Sequence, residues 1–426
     1  MSDLEFSGAV VIDARASKDA EPLWPVCDGG SLGFCYTSRT GILLERPVKW
    51  FCENGVRPDQ IFILVSDDKQ KWFVGTKIDS YQLQQDNIIV VNDCKYEGVI
   101  KGIIQNQSNI DDAVILFVSV NPYFASERGF MAEVKKAIDK AKCYELALVG
   151  GATFDVDDMV RCGAIVCTRP LDIMDESDLS ISEFLKGNQV DPNPSGRPQN
   201  WLGDGWITET IADNPKVLCY CGISACRAQR VAELLRSKAS IENHLDLMAV
   251  LVKRLNEGGS APICVQNGAL VSVFKDWYTM RYVLGLSRET STRNICLGPG
   301  VIRLTDCCNS LFYITEGIEL RARGIEKSEV IATIRDGRVV VLVLKEPDTM
   351  PPTAFMQACI KEEESNGRDS KATVLKEDMG HYNSALLLGY PFSVYFYGVS
   401  NYGVSVNGPG GEDDRIIVTV APLLRK

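Results

Sequence analysis

Two histidines, His244 and His381, are all that the chain contains. Any Ser-His or Cys-His catalytic pair must use one of them, which narrows the hydrolase readings at once. Cys359 lies at the end of an apolar run, AFMQACI, with His381 downstream. A thiol at a strand end is a place where a nucleophile can sit. The residues that follow, Lys361 and then Glu362, Glu363 and Glu364, argue against one. Acids and an apolar setting both raise a thiol pKa. Cys359 is therefore expected to be structural or ligand-adjacent, and no residue is assigned as catalytic. His244, between Asn243 and Leu245 in a helical stretch, is expected to be solvated or to cap. Gly150-Gly151 follows an apolar strand. Neither the Lys-Ser/Thr of a P-loop nor the spaced glycines of a dinucleotide fingerprint accompany it, so it reads as a tight exit turn. Cys219, Cys221 and Cys226 form C-x-C-x4-C, with only the adjacent Cys307-Cys308 elsewhere in place of a second knuckle. They read as buried thiols. No metal and no cofactor is assigned.

The elements that position these residues follow from the apolar pattern. IFILVSDD (61–68), NIIVVND (87–93) and DDAVILFVSV (111–120) read as buried strands. SERGFMAEVKKAIDKAK (126–142) is amphipathic, with Phe130, Val134, Ala137, Ile138 and Ala141 on one face. With YELALVGGATFD (144–155) it predicts a βαβ unit, two adjacent parallel strands bridged by a helix. CGAIVCTR (162–169) is a further strand candidate, and 188–205, rich in Pro, Gly and Asn, is a linker or long loop. Helices are expected at 224–239 and 241–259, and a hairpin at 329–346 around Asp336-Gly337. TAFMQACI (353–360) reads as a buried strand. Residues 385–411 carry no charge, but Pro391, Asn401 and several glycines interrupt them. They read as buried strands and turns, not as a membrane helix.

Composition sets the class. At 426 residues the chain is long enough for two or three domains, and 45% apolar with 24% charged residues is a globular balance. Lys plus Arg number 45 and Asp plus Glu 56, a net charge of −11. That balance speaks against nucleic-acid binding and against a polybasic membrane anchor. The first residues carry Asp3 and Glu5 and no basic, apolar leader. The expectation is a cytoplasmic or nuclear protein whose 15 cysteines stay reduced.

Several segments, in order, resemble the FIST-domain family (F-box and intracellular signal transduction proteins). LLERPVKWFCENGVRPDQIFILVSD (43–67) is similar to the stretch that leads into the family's N-terminal unit. DDAVILFVSV, the helix to Lys142 and ELALVGGATFD resemble that unit itself. GIEKSEVIATIRDGRVVVLVL (324–344) resembles the hairpin after it. AFMQACI (354–360) and YPFSVYFYGVSNYGV (390–404) resemble the opening and closing strands of the C-terminal unit. The departures are specific. Lys361, Glu362 and Glu363 stand where the family has Gly-Arg-Gly after its cysteine, and Gly398-Val399-Ser400-Asn401-Tyr402-Gly403 replaces its Gly-Asn-Gly-Glu-Ile-Gly. The helical F-box has no counterpart in 1–42, which read as strand and loop.

The resemblance implies an α/β fold of mixed α+β type. It has two FIST-like units, with apolar mixed or parallel sheets flanked by helices, plus a long insertion. The expected parts are an N-terminal segment (1–42), an N-terminal FIST-like unit (43–155), an insertion or diverged middle domain (156–323) and a C-terminal FIST-like unit (324–426). It also implies ligand contacts at Gly150, Gly151, Cys359, Gly398, Asn401 and Gly403. The function expected from it is non-enzymatic recognition of a protein partner or a small ligand, with ubiquitin-ligase components among the candidate partners. The alternatives are a cysteine-dependent enzyme using Cys359 and a virus-type shell protein.

Overall fold

A computed structural model describes residues 7–15, 23–27, 30–91, 96–107, 109–120, 122–124, 127–151, 163–167, 179–186, 217–236, 241–258, 262–266, 270–273, 277, 280, 293–345, 353–365, 372–376, 384–388, 391–398, 402–409 and 414–423. The fold is mixed α/β, with parallel and mixed sheets flanked by helices. The chain divides into two compact units, Met1–Ala16 with Leu44–Phe274, and Ser17–Leu43 with Lys275–Lys426.

The first unit contains β1 (Gly8–Asp13), β2 (Ile61–Val65), β3 (Ile88–Val90), β4 (Val114–Ser119), β5 (Pro122–Phe124), β6 (Leu146–Gly151), β7 (Ala164–Cys167), β8 (Leu179–Leu185), β9 (Val217–Arg227), β10 (Pro262–Gln266) and β11 (Leu270–Val273). Its helices are α1 (Glu45–Glu53), α2 (Asp68–Lys77), α3 (Tyr96–Gln105), α4 (Glu127–Tyr144), α5 (Ala228–Leu235) and α6 (His244–Gly258). Nine strands form one sheet in the order β3-β2-β1-β4-β9-β6-β10-β8-β7, while β5 and β11 pair in a two-stranded sheet. β1, β2, β3 and β4 run parallel. Such strands are covered on both faces, which is why GAVVID and VILFVS are almost unbroken apolar runs. Ala9, Val11, Ile115 and Phe117 pack against α3, α5 and α6. Val10, Ile12, Val114 and Leu116 alternate with them, leave the strands on the other face, and are buried there. β7 also pairs with the start of β9, which closes β9, β6, β10, β8 and β7 into a ring.

Two expectations are corrected here. β4 and β6 share a sheet and a direction, but they are not adjacent, because β9 runs antiparallel between them. β9 arrives from far along the chain, so no local pattern announces its insertion. The helix expected from 224 begins at Ala228. Residues up to Arg227 belong to β9, where backbone pairing on both edges overrides helical propensity.

The second unit contains β12 (Ile295–Leu297), β13 (Val301–Thr305), β14 (Leu311–Ile314), β15 (Ile318–Arg323), β16 (Ser328–Arg335), β17 (Arg338–Lys345), α7 (Thr353–Ser365), β18 (Ala372–Lys376), β19 (Ser384–Leu388), β20 (Phe392–Tyr397), β21 (Tyr402–Asn407) and β22 (Ile416–Pro422). They form two sheets, β12-β14-β16-β17-β20-β18 and β13-β15-β22-β21-β19. From β12 to β16 the chain alternates between the sheets, each strand parallel to the one two before it. Phe312, Val330, Val341, Val394, Leu320, Val404 and Val418 belong to the core the two sheets enclose. The first sheet is buried on its outer face too, where Tyr313, Leu342 and Tyr395 are covered. That explains why the VVVLVL of β17 is an unbroken apolar run while IELRAR, from the second sheet, alternates.

The hairpin over β16 and β17 turns at Asp336-Gly337 as expected, both with positive φ (48° and 77°). TAFMQACI is not a strand. It opens helix α7. Phe355, Met356 and Cys359 are buried, at helical spacing. An apolar run this short does not separate the two states, and the run of Lys and Glu after it favours the helix.

Candidate functional site

The strand order in the first unit reverses beside β1. The chain lays β2 and β3 outward on one side, then returns to place β4 on the other. In open α/β sheets, ligands bind outside the carboxyl ends of the strands at such a point. A polar cluster sits at this end of β1, on the face covered by α3 and α6.

Asp13 is the last residue of β1, two positions after buried Val11 and on the same face. Arg15 clamps it with two parallel bonds, Nε to Oδ1 at 2.9 Å and Nη2 to Oδ2 at 2.8 Å. Arg15 Nη1 also donates to the Glu242 carbonyl at 3.2 Å. The guanidinium lies over the Tyr96 ring, 4.8 Å from its centroid. Tyr96 opens α3 and is 2% exposed, and its hydroxyl has no hydrogen-bond partner among the described residues. Burial and the nearby Asp13 carboxylate push its pKa well above the ordinary phenol range, so it is a neutral donor.

His244 opens α6 and is buried, contrary to the expected solvated or capping role. Its ring stacks on Phe117 at 5.3 Å and 18°. Nε2 lies 2.9 Å from the Tyr220 hydroxyl and 3.0 Å from the Ser224 hydroxyl, both presented by β9. Burial pulls the His244 pKa down to about 4, so the ring is neutral at pH 7. The start of α6 is fixed by Asn243, whose Oδ1 accepts from the Asp246 amide at 2.9 Å. Lys186 holds the Asp246 carboxylate at 2.8 Å. The arrangement offers a clamped carboxylate, a guanidinium and an uncommitted phenol at the mouth of the sheet. Together they can accept a proton and stabilise charge that develops on a substrate oxygen.

The residues singled out from the sequence fall elsewhere. Gly150 and Gly151 belong to β6 itself. Gly150 pairs with Tyr220, and a Cβ there would press on the Leu218 and Ile165 side chains at 3.1–3.2 Å. Cys359 is buried in α7 of the second unit. Gly398 follows β20 with φ +62°, and Gly403 lies within β21, paired with Ser384 and Ala421. Asn401 and His381 lie outside the described residues. Cys219, Cys221 and Cys226 are all buried along β9. Among the described residues no helix is long and apolar enough to cross a membrane, and the uncharged stretch from 385 contributes to β19, β20 and β21. The sequence reading missed Asp13, Arg15, Tyr96, Tyr220 and Ser224. The signal available was Asp-x-Arg, two charges at the exit of the first apolar strand.

No family model and no curated protein matches the chain. Solved structures do. Mannose-1-phosphate geranyltransferase from Thermus thermophilus is 12% identical, with a TM-score of 0.48 over 84% of this chain and 99% of that one. The inositol-1-phosphate CTP transferase of T. maritima is 13% identical, with a TM-score of 0.42 over 65% and 95%. UDP-glucose pyrophosphorylase from Acinetobacter baumannii is 10% identical, with a TM-score of 0.40 over 66% and 92%. The expectation of a non-enzymatic recognition protein, with its shell-protein alternative, is corrected against these neighbours, each of which is an enzyme by name. At these identities and scores no substrate and no residue role passes to this chain.

Proposed function

We propose that the chain is an enzyme acting on a small polar metabolite, bound outside the carboxyl ends of β1 and β4. The observation that carries this reading is the Tyr96 hydroxyl. It is buried, without a partner among the described residues, and beside a clamped carboxylate at the point where strand order reverses. An orphan buried hydroxyl costs about 1–3 kcal/mol, and a substrate oxygen that accepts from it offsets that cost. In this reading Tyr96 and Arg15 face developing negative charge, and Asp13 takes the proton. His244 acts indirectly, holding Tyr220 and Ser224 in place.

The test is binding followed by turnover. Thermal unfolding of the full chain is measured with inorganic phosphate, a sugar phosphate, a nucleoside triphosphate and a dicarboxylate. At least one class is expected to raise Tm saturably, with Tyr96→Phe weakening it at least about tenfold, the loss expected of one buried hydrogen bond. No saturable shift with any class, or none that Tyr96→Phe weakens, overturns the reading.

The likeness to the FIST-domain family also stands as a proposal, supported by the order of the similar segments along the chain.

A further inference from the structure

The outer face of the second unit's first sheet carries buried donors that no atom of the described residues uses. Trp24 is 1% exposed and its indole N–H has no partner there, and Thr333, 3% exposed, has a hydroxyl without one. Both adjoin Arg335. The Arg335 guanidinium lies 5.8 Å from the Trp24 ring centroid. Thr333 and Arg335 are two residues apart on β16, so their side chains leave the strand on the same face.

The groups around them are already committed. Trp24 packs edge-on against Tyr395 at 5.3 Å. Tyr395 donates to Glu363 Oε1 of α7 at 2.5 Å. Arg338 donates from Nε to Ser393 Oγ at 2.7 Å and from Nη2 to the Phe392 carbonyl at 3.0 Å, with Glu363 3.9 Å away. Thr333 stands in the same cross-strand row as Ser393, through Val340 of β17. Glu363 accepts from Tyr395 and Ser393 from Arg338, and neither accepts from the Trp24 N–H or the Thr333 O–H. The Trp24 N–H and the Thr333 O–H are left over beside a guanidinium.

We infer that this face holds the oxyanion of a small metabolite, a carboxylate or a phosphate, between the Trp24 indole N–H, the Thr333 hydroxyl and Arg335. Donors with no acceptor, next to a cation in a half-buried setting, are what such a group satisfies. Burial also draws the Arg335 pKa down, a shift that an anion bound beside it reverses. Glu363, Asp336 and Glu364 also act on Arg335 and favour its charged form. The site is separate from the Asp13 cluster and does not depend on the function proposed there.

The experiment uses the full chain, inorganic phosphate and acetate as separate probes, and sodium chloride to hold ionic strength. Thermal unfolding and calorimetric titration are compared among the wild type, Thr333→Val, Arg335→Gln and Tyr96→Phe. Thr333→Val keeps shape while removing the hydroxyl. One probe is expected to raise the wild-type Tm saturably. Thr333→Val and Arg335→Gln should each weaken that response at least about tenfold, the loss expected of one charge-assisted bond, while Tyr96→Phe leaves it intact. Whichever probe saturates identifies phosphate or carboxylate as the group. The proposal is overturned if neither probe saturates, or if Thr333→Val keeps the wild-type response. It is equally overturned if Thr333→Val only raises the ligand-free Tm, because the hydroxyl is then an orphan or bonded to water.

Discussion

At the scale of single residues, His244 makes the sharpest prediction. Its pKa falls from an ordinary value near 6.5 to about 4 because burial penalises the charged ring. The unfolded chain therefore binds more protons than the folded one between those values, and stability rises with pH across that window. The contribution is fully present above about pH 6.5 and is lost as pH falls to about 4. A shift of this size is worth about 3 kcal/mol. Urea unfolding between pH 4 and 7.5 should show that loss in the wild type. In His244→Gln, which cannot titrate, the pH slope in this window should flatten by that amount. An unchanged slope would place His244 in water. Tyr96 gives a second prediction of opposite character. Its orphan hydroxyl is a cost without ligand, so Tyr96→Phe should leave ligand-free stability equal or raise it by about 1 kcal/mol. The same change removes the donor that the proposed substrate uses. Chemical denaturation without ligand checks the first half, and a clear loss of stability would mean that Tyr96 has a structural partner.

At the scale of elements, two glycines separate turn geometry from packing. Gly298 lies between β12 and β13 with φ +83°, and a Cβ there would stand 2.3 Å from the Ile314 carbonyl oxygen. Gly337, in the β16–β17 turn, has φ +77° but nothing within 4 Å of the same position. Both substitutions carry the left-handed penalty of about 1–2 kcal/mol. Gly298→Ala must also push strand backbone apart, and should cost more than about 3 kcal/mol in total. Gly337→Ala should stay near 1–2 kcal/mol. Equal losses in denaturant titrations would show that the β12–β14 corner yields readily. The same scale explains the misread α7. Its buried Phe355, Met356 and Cys359 follow helical spacing only once the face they rest on is known.

At the scale of the whole molecule, the second unit is built from two distant stretches, Ser17–Leu43 and Lys275–Lys426. Described residues of the first stretch are bound into it at several points. The Tyr36 amide donates to the Tyr313 hydroxyl at 2.9 Å, Arg39 donates to the Gly300 carbonyl, and Trp24 rests on Tyr395. Trp24→Ala should therefore destabilise this unit by about 3–5 kcal/mol, the usual cost of deleting a buried tryptophan. Hydrogen exchange should quicken in β16, β17 and β20, while β1 and β4 keep their protection. Loss of protection in β1 and β4 alone would contradict the assignment of the stretch to the second unit.

Much of the local structure was legible in the sequence. The strands of GAVVID, IFILV, IIV and VILFVS, the amphipathic helix over 126–142 and the Asp336-Gly337 turn follow from periodicity and turn chemistry, which act between near neighbours. Within the uncharged stretch from 385, FSVYFY is a buried strand because a sheet covered on both faces needs no polar side. What tertiary structure alone decided is which strands meet. β9 enters between β4 and β6, and Trp24 covers a sheet formed hundreds of residues later. Both polar sites depend on those meetings. Asp13, Tyr96, Tyr220 and His244 are spread over more than two hundred positions, and each alone is an ordinary residue. Burial, which shifts the pKa values of Tyr96 and His244, and adjacency, which leaves the Tyr96 hydroxyl without a partner among the described residues, are properties of the packed chain. They arise from long-range contacts whose partners local sequence does not name.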